Sequence, residues 1–429
     1  MKKLGFGLFG FILILSVVLY FIKQPQGSSS TTLQPLKHAV NLWLKEMQHH
    51  GFEITDRVQS GEEDHFTLII KTPQDVAQYL QQKGLRTEPE KIEPYKGFKV
   101  NTDIHYQPDT ISIELHPLNV PEYFKTSIQE KNQLAKLEEM IQREVFATHI
   151  DIHYSAQTFD GNFKDINESF EDVAKMQIAL QTVRFAGKFK NETIIEHNES
   201  AQTLHFNIDP LFNRNIQGFT NSYKRTGESL YDYTGKYSAS EITTSEGLKG
   251  DLVAKNVQFS TISSVTNGLA IESVDGSIES IDLHSKHDQD STGLRSFKFS
   301  MRTNNLTAND LKSNHTLSQE VHVDIPNLSV ETMEFKGKIF PGFTLHSNLN
   351  LEPSLDIHAA IAQPKESAEK MKGMIHLSIE KELLEYLKKD PETMLFYMMY
   401  RPKREDEQRI YDIHIDHGSL IVNDKPVEL

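Results

Sequence analysis

A chain of 429 residues has room for about two to three domains of roughly 150 residues, or for one long β structure. Its hydrophobic content of 38% supplies a packed core but not a polytopic membrane protein, and a net charge of −15 repels nucleic acid and anionic surfaces, which call for clustered Lys and Arg. With no cysteine, disulfides, thiolate metal sites, cysteine nucleophiles and the lipid-bearing residue of a lipoprotein are excluded together.

The chain begins with a membrane signal. Gly5 to Ile22 read GFGLFGFILILSVVLYFI without a charge. At about 1.5 Å per residue this run spans roughly 27 Å, close to the ~30 Å hydrocarbon core. Lys2 and Lys3 precede it and Lys23 alone follows, so the positive-inside bias puts the N-terminus in the cytoplasm and exports the rest. A cleaved signal peptide is the competing reading. Its apolar region is shorter and ends in a small-x-small site, whereas Leu19, Tyr20, Phe21 and Ile22 close this run. We therefore read residues 1–23 as an uncleaved, single-pass anchor, followed by 42 basic against 60 acidic residues, a net −18.

Residues 24–32 form a tether. Leu33, Leu36, Val40, Trp43, Leu44 and Met47 then repeat at i, i+3, i+4, i+7, an amphipathic helix closed by Gly51 that packs on the body. Period two follows: Phe66, Leu68 and Ile70; Ile111, Ile113 and Leu115; Leu204, Phe206 and Ile208; Phe297, Phe299 and Met301; Phe343, Leu345, Leu349 and Leu351; Ile375, Leu377 and Ile379. Such runs predict antiparallel sheet with one buried face. Asn267-Gly268, Asp275-Gly276 and His417-Gly418 carry turn signals. Further helices are predicted over 74–83, 132–146, 380–389 and 392–400. The class is α+β, β-dominated: long antiparallel, twisted or curved sheet with a few packed helices behind a transmembrane helix. We divide the body into a β-rich region with helices (33–208), an irregular junction (209–250) and a second β-rich region ending in a hairpin (251–429).

No linear signature of chemistry appears: no G-x-S-x-G, H-E-x-x-H, Walker loop or dinucleotide fingerprint. Asp-Ile-His recurs at Asp103, Asp151, Asp356 and Asp412, with Asp282-Leu283-His284 as a near copy. In a strand the apolar residue points to one face and Asp and His to the other. Neighbouring copies would make a metal face; a solvated face over a buried Ile is the stronger reading. We expect no catalytic residue, no metal and no cofactor. Leu395, Phe396, Tyr397, Met398, Met399 and Tyr400 form the most apolar helical stretch outside the anchor, which packs in the core or offers a surface to a hydrophobic partner.

The last segment has a definite pattern. Gly373 to Leu387 read as strand running into helix. Tyr411, Ile413 and Ile415 alternate, Gly418-Ser419 turns, Leu420 and Val422 return, and Asn423-Asp424 turns again. This resembles the YdgA-like family of bacterial envelope proteins, which begin with Lys-flanked apolar residues and end in a Tyr-x-x-x-x-x-x-Gly-x-Leu-x-x-Asn-Gly hairpin; here Asp424 stands at the last Gly. The match covers residues 373–429 and the anchor. It implies an inner-membrane-anchored periplasmic protein and supplies no catalytic residues. Two functions remain: a non-enzymatic interaction or assembly scaffold in the envelope, ranked first, and a carrier of lipid or another hydrophobic ligand on a curved sheet. A scaffold buries its alternate apolar residues, and a carrier leaves a continuous apolar trough. The partners expected are the membrane through the N-terminal helix, an envelope protein or lipid, and a second copy of the chain; nucleic acid is not among them.

Overall fold

The computed structural model describes residues 33–83, 89–127, 131–170, 176–190, 193–208, 212–229, 231–246, 250–285, 291–307, 310, 316–356 and 367–427. The anchor read over Gly5–Ile22 lies outside them, and among the described residues no helix is long and apolar enough to cross a membrane. Strand accounts for 62% of the structure, all of it antiparallel where paired, so the β-dominated class with few helices is met. The chain divides into two compact units between Lys224 and Arg225.

Unit 1 opens with helix α1 (Gln34–His49), whose Leu36, Ala39, Val40, Trp43, Leu44 and Met47 are all buried. It carries strands β1 (Phe52–Ser60), β2 (Glu63–Ile70), β3 (Lys99–Gln107), β4 (Thr110–Pro117), β5 (Thr148–His153) and β6 (Thr158–Phe163) as a meander. β7 (Ile166–Phe170) and β8 (Met176–Gln181) intervene before β9 (Arg184–Lys190) resumes pairing with β6. The long β10 (Thr193–Ile208) pairs β9 with its first half and β8 with its second, and β11 (Phe212–Arg225) runs along its other edge. Alternation sends Ile111, Ile113, Leu115, Ile150 and Ile152 inward to one core shared with α1, α2 (Pro73–Gln82) and Met140 and Ile141 of α5 (Lys131–Gln142). Two short helices, α3 (Pro89–Ile92) and α4 (Glu122–Ser127), lie between. Each fully buried Leu, Ile or Phe contributes about 1.5–3 kcal/mol, so this helix-covered face is the stable part of the unit.

Unit 2 is built differently. β12 (Tyr233–Glu246), β13 (Gly250–Thr266), β14 (Leu269–His284), β15 (Ser291–Thr307), β16 (Val321–Phe335), β17 (Lys338–Leu351) and β18 (Met371–Glu380) pair in strict succession. Helices α6 (Lys381–Leu387) and α7 (Pro391–Met399) follow. β20 (Gln408–Asp416) then pairs β18 on one edge; β19 (Lys403–Glu405) and β21 (Ser419–Val422) take its other edge, and β22 (Lys425–Val427) pairs β21. The C-terminal hairpin thus docks beside the 373–379 strand. Asn267-Gly268, Lys336-Gly337, His417-Gly418 and Asn423-Asp424 each hold positive φ at both central residues, the two-residue turn whose twist matches the strands.

Two expectations are corrected. The boundary between the two units falls inside the stretch 209–250, but the stretch is not irregular: over its described residues it is mostly β11 and β12, each of 14 residues. Its Gly, Ser and Thr content reflects strands without a helix-covered face, which blurs the alternation. Asp275-Gly276 is not a turn but the middle of β14, where Gly276 faces Phe259 and a Cβ on it would lie 2.4 Å from the Phe259 ring.

Candidate functional site

The register of unit 2 lines up apolar side chains across the strands. Tyr237, Phe259, Gly276, Phe299, Leu328, Leu345, Leu377 and Tyr411 stand opposite one another, one per strand, from β12 to β20. One residue along, on the other face, the row is Ser238, Gln258, Ser277, Lys298, Ser329, Thr344 and Ser378. Along these two rows the sheet is apolar on one face and polar on the other, broken by Ile410 opposite Ser378 on the polar side and by Ser263 and Glu272 on the apolar side, and facing residues stay on one side because the pleat alternates.

The apolar face is wider than one row. Ala239, Val257, Ile278 and Phe297 form the next, continued by Val330, Phe343 and Ile379. Beyond it the apolar spacing steps by three residues instead of two on each strand from β12 to β17: Ala239 to Ile242, Val257 to Ala254, Ile278 to Ile281, Phe297 to Leu294, Val330 to Met333 and Phe343 to Phe340. The steps coincide along a crease through Ser240, Asn256, Glu279, Ser296, Glu331 and Gly342. Asn256 and Ser296 hold left-handed φ of 49° and 53°, and the Asn256 amide donates to Glu279. A left-handed residue re-aims the side chains after it, so the face stays apolar on both sides; Met333 and Phe340 pack with Phe343, Leu377 and Tyr411.

Cover over this face is partial. Leu383 and Leu384 of α6 are buried in a cluster with Ile379, Tyr411 and Val422, and Tyr386 stacks on Phe335 and Phe340 at 5.3 and 4.6 Å. At the opposite strand ends Ala270, Leu306, Leu317, Val321 and Leu355 form a second small cluster. Phe259, Phe299, Leu328 and Leu345, between them, belong to neither and remain half-buried. On β16 the cover from α6 reaches Met333 and Phe335, at one end of the strand.

The predicted segment 395–400 splits. Tyr400 is buried, Tyr397 is half-buried with Lys388 Nζ 4.1 Å above its ring, and Leu395, Phe396, Met398 and Met399 are exposed, as is Met394, which the sequence reading missed. No residue of α7 is buried. Core packing is provided by the two tyrosines, with Phe396 resting against Tyr400 and Tyr411.

The Asp-Ile-His copies lie apart. Those of β3 and β5 are separated by β4, that of β20 lies in unit 2, and Ile357 and His358 lie outside the described residues. Ile104 and Ile152 are buried, and their Asp and His neighbours face outward among polar partners. His65 Nδ1 lies 2.5 Å from Asp103, His153 Nε2 3.0 Å from Asp160, and His376 Nδ1 2.8 Å from Asp412. His149 reaches Glu114 with Nδ1 and Asp151 with Nε2, which keeps the two carboxylates on different sides of the ring. Among the described residues no group of three His, Asp or Glu is placed to hold a metal. Lys403 and His376 hold Asp412 below the usual carboxylate range.

Unit 1 has a cavity of ≈ 850 Å³ beside β6, β9, β10 and β11, lined by Asp160, Arg184, Asn198, Glu199 and Asn221 among others. Burial disfavours the Glu199 charge, but the hydrogen bond to His197 (2.6 Å), the His197 charge and Asn221 outweigh it and keep its pKa low. The bond from Asn221 to Glu199 braces β11 against β10. No family model, curated protein or solved structure matches the chain.

Proposed function

We propose that this is a periplasmic envelope protein held to the inner membrane by its N-terminal helix, that it catalyses no reaction, and that the sheet of unit 2 carries an elongated apolar ligand of the acyl-lipid class. The observation that carries this reading is the apolar row from Tyr237 to Tyr411, half-buried as far as Leu377, with Ser238, Gln258, Ser277, Lys298, Ser329, Thr344 and Ser378 behind it on the other face. Eight strands about 4.8 Å apart give a row of roughly 34 Å. That is near the ~30 Å thickness of a bilayer's hydrocarbon, or two acyl chains end to end. A compact ligand leaves most of such a row wet. The anchor keeps the body beside a lipid source, and the YdgA-like pattern of residues 373–429 supports the envelope placement.

The sequence ranked an interaction or assembly scaffold ahead of a carrier. We rank the carrier first because the alternate apolar residues of unit 1 lie in one helix-covered core, whereas Phe259, Phe299, Leu328 and Leu345 of unit 2 are half-buried, beside the buried Val257 and Val330. The exposed α7 keeps the scaffold as a second reading.

Mass spectrometry of lipids that copurify with the detergent-extracted full chain tests the proposal. Phe299→Glu should strip a stoichiometric lipid that Ser300→Glu, on the polar face, retains. An identical lipid complement in both variants and the wild type means that the face carries none.

A further inference from the structure

Helix α7 is apolar on every side. Met394 to Met399 are six consecutive apolar residues, more than a full turn and a half, so no rotation of the helix hides them all. A helix of that kind belongs in a core or in a membrane, yet none of its residues is buried here. Its seating is nevertheless defined. Asp390 accepts from Thr393 N at 2.9 Å and caps the start, while the Phe396 ring packs at 5.1 Å from Tyr400 and 5.6 Å from Tyr411. That leaves Leu395, Met398 and Met399, spaced i, i+3, i+4, as one outward stripe, 60%, 61% and 53% exposed.

The charge around the stripe runs against the charge of the chain. Between Lys388 and Arg404 stand Lys388, Lys389, Arg401, Lys403 and Arg404 against Asp390 and Glu392, in a protein of net −15, with Glu382 and Glu385 before this segment and Glu405, Asp406 and Glu407 after it. Lys388 and Lys403 are paired with Glu385 and Asp412. Arg401 and Arg404 are exposed. An apolar stripe with cations at both ends of its helix is complementary to a surface that is apolar inside and anionic at its rim.

We propose that α7 seats unit 2 on an anionic phospholipid surface, with Leu395, Met398 and Met399 in the acyl boundary and Lys389, Arg401 and Arg404 at the phosphates. The proposal is independent of what the sheet binds. A second copy of the chain or another protein in place of the lipid is an outcome of the test.

The chain has no cysteine, so Met398→Cys gives a single site for an environment-sensitive fluorophore on the full chain. The labelled protein is reconstituted in phosphatidylcholine vesicles with or without phosphatidylglycerol, both carrying a lipid-borne quencher. Expected are a blue shift and quenching that appear with phosphatidylglycerol. Each of Arg401→Gln and Arg404→Gln should lower the inserted-to-free ratio by about fivefold, as loss of one cation at an anionic surface does. A label at Asn267→Cys, on a polar turn, should report water throughout. Water-like emission from the Met398 label in both vesicles overturns the proposal. So does quenching indifferent to phosphatidylglycerol and to both arginines, or burial of the label through self-association, seen by crosslinking in lipid-free detergent.

Discussion

At Asp64 the alternation of β2 puts a carboxylate where an apolar residue belongs, and none of its side chain reaches solvent. A register shift in β1 between Thr55 and Val58 aims Arg57 at it, and Arg57 donates through Nε at 2.9 Å and Nη2 at 2.5 Å, with Tyr106 Oη adding a third bond at 3.2 Å. Asp64→Ala leaves the Arg57 guanidinium without its carboxylate, although Nη2 still donates to Asn41 Oδ1. Because Arg57 is 30% exposed, the loss should sit near the low end for a broken buried pair, about 3 kcal/mol. Urea unfolding read from Trp43, the only tryptophan and fully buried in unit 1, measures it. Burial works against the charge of His149, but its bonds to Asp151 and Glu114 and their charges prevail, raising its pKa above the ordinary 6.5. Its contribution to stability is therefore complete below 6.5 and fades as pH climbs through the raised folded value. The urea midpoint should fall over that window in the wild type and less in His149→Gln; equal slopes would remove this coupling. Gly276 is the third such position. Gly276→Ala forces a Cβ against the Phe259 ring and should cost about 1–3 kcal/mol as overpacking, with no change in the Trp43 transition.

Among the elements, the helices and the strands of unit 1 were legible because their partners lie close by. The α1 stripe and the runs Ile111 to Leu115 and Phe66 to Ile70 are strictly periodic, each packing against a covered face. In unit 2 legibility fell where the apolar spacing changes from two to three. The steps Ala254–Val257 and Ile278–Ile281 break a period-two pattern, so β13 and β14 gave no sequence signal although Phe259 and Gly276 of the apolar row lie on them. Asp275-Gly276 imitated a turn for a related reason: only the tertiary register shows that Phe259 needs the space. Residues 395–400 were found by hydrophobicity alone, which cannot separate Tyr400, buried, from Met398, exposed. The C-terminal hairpin was legible from its alternation and turns, and its place has a consequence. A chain ending at Glu407 loses Tyr411 and Val422 from the cluster under α6 and bares the edge of β18. Limited proteolysis should then cut β17 and β18 early while the Trp43 transition stays in place; an unchanged digestion pattern would show the hairpin to be peripheral.

For the molecule as a whole, the contrast is between a unit whose apolar face is roofed by helices and one whose face is roofed only at two ends. Hydrogen exchange should follow that contrast. Amides of β3 to β5 should be the slowest, and those of β13 to β16 faster, because local opening there exposes little that is not already wet. Addition of the copurifying lipid should slow β13 to β16 selectively; slowing spread evenly over both units would argue against a ligand on the sheet. The strict succession from β12 to β18 also makes unit 2 a linear array, in which each strand answers only to its two neighbours. A linear array is a ruler graduated in hairpins. Duplicating one hairpin adds two strands and lengthens the apolar row by about 9.6 Å without disturbing any existing neighbour, as repeats do in solenoids. On the proposed carrier reading, whole-hairpin gain or loss during evolution resets the length of ligand that the row accommodates, with both covered ends left as they are.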